Sequence, residues 1–124
     1  MIDYLTIVEV LSIHENLINV YGGSHGIRDM GALESSLFRP QSGYYSDVIQ
    51  QASALWESLS QNHPFIDGNK RVSFACVYTF LLNNDIEITA NSDEVYNFMM
   101  KLFENSTFNF EHLDKWLRVN TTSN

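Results

Sequence analysis

A nine-residue stretch near the middle of the chain combines side chains that could carry out group-transfer chemistry. The stretch is His63-Pro64-Phe65-Ile66-Asp67-Gly68-Asn69-Lys70-Arg71. A histidine can accept a proton near neutral pH, and a carboxylate can hold Mg²⁺ together with phosphate oxygens. Two adjacent basic side chains beside the start of a helix favour a bound anion. Phosphoryl-type transfer needs a base, a carboxylate that holds a metal and an anion-binding site, because such catalysis depends mainly on positioning and charge neutralisation.

Several residues of this stretch also have a simpler structural interpretation. Asp67 could be only a turn residue before Gly68, and Asn69 could be only a helix cap. Lys70 and Arg71 could be a solvated pair. Cations are unfavourable at a helix start, however, by some tenths to about 1 kcal/mol. That cost favours an anion as the partner of the two basic side chains.

The pattern of apolar residues and caps predicts helices on both sides of the stretch. Thr6 with Glu9 fits a capping box, and Asp47 and Asn109 each suit the position before a helix. Pro64 and Gly68 predict a break between two helices. The predicted helices run from Ile7 to about Tyr21, Met30 to Phe38, about Val48 to Gln61, Asn69 to about Asn83, Ser92 to about Glu104, and onward from Asn109.

The remaining segments complete a prediction of fold class. Residues 72–82 are apolar nearly all round, which is typical of a central buried helix. Residues 39–45 contain Pro40 and Gly43 and predict a loop or short hairpin, whereas residues 86–88 alternate and predict a short extended piece. We therefore expect one all-α domain over residues 1–124, a bundle of about six helices around a central buried helix.

Composition and charge restrict the class of protein and its partners. The chain has 124 residues, of which 44% are hydrophobic and 18% charged, with a formal net charge of −8. The acidic balance argues against direct binding to nucleic acid, which depends on clustered Lys and Arg. The sequence contains no long apolar run, and its first residues lack the basic start and apolar centre expected of a signal peptide. Its one cysteine, Cys76, lies in an apolar segment. We expect no membrane span, a buried thiol and a cytoplasmic location.

The nine-residue stretch resembles the Fic/Doc motif, which reads His-x-Phe-x-Asp/Glu-Gly/Ala-Asn-Gly/Lys-x-Arg across its two branches. Arg71 follows Lys70 directly, as in Doc-like members. Residues 21–29, which begin Tyr-Gly-Gly, resemble the early loop of death-on-curing proteins. The resemblance covers nearly the whole chain and implies the Fic/Doc fold.

The resemblance implies a role for each motif residue. His63 would be the general base that takes a proton from a target hydroxyl, and Asp67 would bind Mg²⁺. Phe65 would be a buried anchor for the loop. The phosphates of ATP would be held by the backbone around Gly68 and by the side chains of Asn69, Lys70 and Arg71.

Lys70 is the residue that implies which group is transferred. AMP-transferring Fic proteins typically have Gly at this position, whereas in Doc-like proteins Lys fills that space and the γ-phosphate is thought to be transferred. The resemblance thus implies a toxin of a type II toxin–antitoxin system that acts as a protein kinase. It would use ATP and Mg²⁺ to phosphorylate a Ser or Thr of a host protein, with elongation factor Tu as the expected target, and so arrest translation.

Two alternatives and one partner accompany this expectation. The chain could instead transfer AMP or another nucleotidyl group to a protein hydroxyl, or it could be a binding module without catalysis. The sequence contains only near misses of the inhibitory Ser/Thr-x-x-x-Glu-Gly/Asn helix of many Fic proteins, so inhibition is expected from another chain. For Doc-like proteins that chain is a small antitoxin whose disordered tail folds onto the toxin. Contact with DNA would then be indirect.

Overall fold

Residues 1–123 form a helical bundle with one two-stranded ribbon in the computed structural model, which describes that part of the chain. The helices are α1 (Ile7–Tyr21), α2 (Met30–Phe38), a short 3-10 helix (Arg39–Gln41), α3 (Val48–Gln61), α4 (Asn69–Asn83), α5 (Ser92–Glu104) and α6 (Phe110–Val119); the strands are β1 (Ile86–Ile88) and β2 (Thr121–Ser123). The predicted all-α fold class is confirmed.

Side-chain caps explain why most of the helices begin where they do. The Thr6 hydroxyl accepts a hydrogen bond from the Glu9 N–H at 3.2 Å, while the Glu9 carboxylate accepts from the Thr6 N–H at 3.0 Å. Asn91 and Glu94 form the same reciprocal pair at the start of α5. Each pair satisfies two backbone donors that a helix start would otherwise leave unpaired. Helix α4 differs, because its cap is Gly68 and no side chain caps it.

The core lies between α3 and α4, with α6 and α2 packed against α3. Trp56 of α3 is fully buried at the centre. Its ring centroid lies 5.7 to 6.1 Å from those of Phe74, Phe98, Phe108 and Trp116. Helix α4 belongs to this centre as predicted, but α3 is enclosed more completely. The opposite face of α4 lines an open cleft, where Tyr78 remains 37% exposed.

Two short segments differ from the sequence-based expectation. The extended piece at 86–88 is present, and it pairs antiparallel with β2, which the sequence did not predict. The hairpin alternative for residues 39–45 is wrong, since the segment forms a 3-10 helix followed by bends. Arg39 accounts for the difference: its guanidinium donates to Glu57 of α3 and to the Tyr45 hydroxyl, both at 2.7 Å, and so ties the segment to α3.

None of the helices within residues 1–123 has both the length and the apolar character that crossing a bilayer would require.

We predict that the thiol of Cys76 is unreactive in the folded protein. Cys76 is fully buried on α4, and burial raises the pKa of its thiol to about 12. Because the thiolate is the reactive form, a thiol reagent at neutral pH should label the protein only when urea unfolds it. Mass spectrometry after labelling measures this directly. Fast labelling without denaturant would contradict the burial of Cys76.

Candidate active site

The motif occupies the loop between α3 and α4, and two of its residues adopt left-handed backbone conformations. His63 has φ of 49° and Gly68 has φ of 77°. For a residue with a side chain, this region costs roughly 1–2 kcal/mol, so surrounding contacts must hold His63 there. A Cβ on Gly68 would also stand 3.2 Å from Cδ1 of Ile18. Glycine at position 68 therefore satisfies both the turn and the close packing.

The loop is closed from within by Asn69, the first residue of α4. Its side-chain oxygen accepts from the Phe65 N–H at 3.0 Å, and its side-chain nitrogen donates to the Phe65 carbonyl at 2.9 Å. Phe65 is 1% exposed, as the resemblance implied for an anchor. Its ring stacks on that of His14 with centroids 3.8 Å apart. These bonds use most of the Asn69 amide, which leaves one N–H for a phosphate.

An earlier segment of the chain supports the loop from outside. The Ile66 N–H donates to the Gly26 carbonyl at 3.1 Å, and Ile27 forms an isolated antiparallel bridge with Phe65. The Pro64 carbonyl accepts N–H groups from residues 28 and 29. Residues 26–29 thus run antiparallel along the motif and pair its backbone.

The side chain of Arg28 continues this support to the catalytic candidate itself. Its guanidinium donates to the Asn62 carbonyl at 2.8 Å and also to the carbonyl of His63. Both acceptors flank the left-handed turn, so Arg28 holds the backbone of His63 in its unfavourable conformation. The imidazole of His63 has no hydrogen-bond partner among residues 1–123 and lines the adjacent cleft.

Asp67 is held by three contacts that come from different parts of the chain. Its carboxylate accepts from the Gly68 N–H at 2.8 Å on Oδ1 and from the Ser24 N–H at 3.1 Å on Oδ2. Its carbonyl oxygen lies 2.8 Å from Nε2 of His14, which must therefore carry the proton. The carboxylate remains exposed to the cleft, with a lone pair free on each oxygen.

These free lone pairs suit Mg²⁺, which usually takes one or two protein carboxylates and completes its shell with phosphate oxygens and water. Within residues 1–123 no cluster of three or more His, Cys, Asp or Glu side chains could hold a metal by itself. Asp67 thus fits a nucleotide-bound Mg²⁺ better than a metal enclosed by protein ligands.

The two basic residues of the motif contact aromatic rings. The Lys70 ammonium lies 4.2 Å from the ring centroid of Phe103, and the Arg71 guanidinium lies 4.7 Å from that of Tyr21. In the part of the chain that the structure covers, neither forms a salt bridge. Their charges add to the partial positive charge of the α4 N-terminus. Two cations and a helix start therefore lie in one cleft with the carboxylates of Asp67 and Asp93.

One cleft of about 1100 Å³ joins these groups. It is large enough for a nucleotide, since ligand pockets commonly span about 300–1000 Å³. Side chains of α4 and α5, including Phe74, Tyr96, Met99 and Phe103, form its apolar walls. The structure brings all the predicted site residues to this cleft: His63, Asp67, Gly68, Asn69, Lys70 and Arg71.

Sequence reasoning missed the residues that support the loop. No sequence pattern gives His14 a partner, and the structure shows it 4% exposed against Phe65 and Asp67. Arg28 and Ser24 were not singled out. The partners of His14, Ser24 and Arg28 lie 34 to 53 residues away along the chain, so no local pattern indicates these contacts.

Comparison with known proteins agrees with the fold and the motif. The model of the Fic/DOC family matches residues 4–81, and the chain belongs to this family. It is 37% identical over 78 residues to a protein named "Toxin Doc" of Mycolicibacterium smegmatis, which covers 59% of this chain and 60% of that protein. It is 26% identical over 84 residues to "Protein kinase doc" of Escherichia phage P1, which covers 64% and 67% of the two chains. The chain thus matches about three fifths to two thirds of these relatives, and the expected likeness to the Doc branch is confirmed.

We predict that His14 stabilises the loop by two separable contacts. His14→Phe keeps a ring against Phe65 but removes the hydrogen bond to Asp67, which should lower the free energy of unfolding by about 1–2 kcal/mol. His14→Ala also removes the ring and leaves a cavity, so the loss should reach about 3–5 kcal/mol. Urea unfolding followed by far-UV circular dichroism measures both values. If His14→Phe is as stable as the parent protein, the hydrogen bond contributes nothing.

Proposed function

We propose that the protein is a Doc-like toxin that phosphorylates a Ser or Thr hydroxyl of a host protein with ATP and Mg²⁺. The observation that carries the proposal is the convergence of His63, Asp67, Lys70 and Arg71 on one cleft at the start of α4. The name of the phage relative, a protein kinase, supports the same reaction type. The family alone is compatible with several transferred groups, so the choice of phosphate rests on Lys70.

Different residues of the loop meet the different requirements of the proposed reaction. His63 accepts the proton of the attacking hydroxyl, whose oxygen forms a bond to the γ-phosphorus while the bond to the β-phosphate oxygen breaks and ADP leaves. Asp67 holds Mg²⁺, which when bound supplies positive charge to the phosphate oxygens. Lys70, Arg71 and the N–H groups at the start of α4 bind the phosphates. Apolar side chains on the walls reduce the contact of these charges with water, which strengthens their interactions.

Lys70 supports phosphate transfer over AMP transfer on steric grounds. Its side chain projects from the first turn of α4 toward Phe103 on α5. It thus fills space beside the proposed phosphate-binding site that a glycine would leave open. A lysine side chain and a phosphate group cannot fill the same space. The γ-phosphate is then the group presented to His63.

The proposed partners follow the same branch of the family. A cognate antitoxin would inhibit the toxin in a type II pair, and elongation factor Tu is the proposed target, with arrest of translation as the outcome. The net charge of −8 supports contact with DNA through the antitoxin rather than through this chain. Both the target and the nucleotide are cytoplasmic, and so is the proposed location of the toxin.

Incubation with elongation factor Tu and ATP labelled at either phosphorus tests the transferred group. We expect label from the γ position and none from the α position. His63→Ala should reduce the transfer rate at least about 100-fold, because a general base contributes that much or more. Exposed His112 of α6 does not line the cleft, and His112→Ala is therefore the matched control.

The remaining outcomes of this experiment separate the alternatives. Label from the α position only would contradict the kinase and support nucleotidyl transfer. Full activity of His63→Ala would show that His63 is not the general base. If calorimetry detects no binding of ATP and Mg²⁺, the chain acts as a binding module.

We predict that Lys70→Gly changes the transferred group. The substitution frees the space beside Phe103 for a phosphate group and removes one cation. Transfer of γ-label should fall at least about tenfold, and transfer of α-label should become detectable. Lys115→Gly makes the same substitution at an exposed position of α6, away from the cleft, and controls for the cost of a helical glycine. Undiminished γ-transfer by Lys70→Gly would show that Lys70 does not select the phosphate.

A further inference from the structure

The loop that follows α1 passes unusually close to the carboxylate of Asp67. Gly23 has φ of +116°, and a Cβ at this position would stand 2.7 Å from Asp67 Oδ2 and 3.3 Å from its Cγ. A separation of 2.7 Å is shorter than van der Waals contact allows, so a side chain here would displace the carboxylate. Glycine at position 23 is therefore what allows the carboxylate to lie in its observed place.

The preceding glycine has a different environment. Gly22 also has a positive φ, +87°, but a Cβ built on it would meet no atom within 4 Å. It ends α1, where its N–H donates to the carbonyl of Ile18. The backbone thus needs both glycines for its turn, whereas only Gly23 touches the candidate site.

The backbone N–H of Ser24, which follows Gly23, fixes one oxygen of the Asp67 carboxylate. The Ser24 N–H donates to Oδ2 of Asp67 at 3.1 Å, while the Gly68 N–H donates to Oδ1 at 2.8 Å. Two donors from separate loops therefore define the plane of the carboxylate. A carboxylate held in this way loses little side-chain freedom when it binds a cation, and each oxygen keeps a lone pair for the ion.

We propose that Gly23 and Ser24 are positioning residues for the metal: they hold the Asp67 carboxylate in the orientation that receives Mg²⁺. The inference rests on the proposed function, in which Asp67 holds that ion, and assigns a physical role to the second of the two consecutive glycines after α1. Gly23 provides the space and the Ser24 N–H provides the bond. Groups that orient a metal ligand commonly change metal affinity 10- to 100-fold when they are altered.

The substitutions Gly23→Ala and Gly22→Ala form a matched pair that tests this role. Both place an alanine at a positive φ, so both strain the backbone. Only Gly23→Ala pushes against the carboxylate, and its Cβ would also stand 3.1 Å from Cδ1 of Ile18. Urea unfolding measures the loss of stability in each variant separately, so that metal affinity is compared under conditions in which both are folded.

Metal affinity is read from binding rather than from catalysis. Calorimetric titration with the non-hydrolysable β,γ-imido analogue of ATP is repeated over a series of Mg²⁺ concentrations. For Gly23→Ala, the Mg²⁺ concentration that gives half-maximal analogue binding should rise about 10- to 100-fold. For Gly22→Ala it should change less than about twofold.

The outcomes distinguish this inference from the proposed function. If the parent protein binds the analogue with Mg²⁺ and Gly23→Ala needs no more Mg²⁺, the positioning role is wrong while the proposed function stands. An equal rise in both variants also overturns the role, since the effect then comes from backbone strain. If the parent protein binds no analogue at any Mg²⁺ concentration, the proposed function fails first.

A second measurement applies if Gly23→Ala does not fold. Amide hydrogen exchange of Ser24, followed by NMR, is compared between the parent protein and Asp67→Ala, in which an exposed side chain is removed. Loss of the carboxylate acceptor should speed exchange of the Ser24 amide roughly tenfold or more, and addition of Mg²⁺ with the analogue should shift its resonance in the parent protein. Unchanged exchange and an unmoved resonance would overturn the inference.

Discussion

The backbone pairing between residues 24–29 and the motif loop is the constraint on which the site depends. The loop at 62–68 belongs to neither helix, and its buried polar groups need partners. The neighbouring segment supplies them at Ile66, at Pro64 and at the carboxylate of Asp67. The positions of the candidate base and of the Asp67 carboxylate are therefore set by a segment about 40 residues earlier, and not by α4 alone.

The start of α4 converts this loop into an anion site. Gly68 turns the chain so that its N–H meets Asp67, and its carbonyl accepts the first helical bond from Val72 at 2.9 Å. The N–H groups that follow Gly68 have no carbonyl partner within the helix. Lys70 and Arg71 lie against aromatic rings rather than carboxylates, so their charges remain available. A bound phosphate would thus find both full and partial positive charges within contact distance.

Local sequence patterns predicted the helices well. They could not predict the features that depend on contacts between distant parts of the chain. The cap pair of Thr6 and Glu9 spans three residues, so the start of α1 can be identified from the sequence. The motif likewise identified the candidate site residues that the structure brings to the cleft. In contrast, His14 meets Asp67 across 53 residues, and no spacing rule connects them. Strand β2 was missed for the same reason, because it exists only through its pairing with β1.

The charge distribution distinguishes a small anion from a polymeric one as the ligand of this site. With 15 acidic and 7 basic residues, the chain as a whole repels phosphates. At physiological ionic strength, however, charges beyond about 8 Å are largely screened, so the nearest groups decide. Those groups are Lys70, Arg71 and the start of α4, which share the cleft with the carboxylates of Asp67 and Asp93. A nucleotide needs only a few ångströms of such a surface, whereas DNA or RNA needs an extended basic one. Mg²⁺ held by Asp67, as proposed, would favour the nucleotide further, since the ion would reduce the negative charge that must enter the cleft.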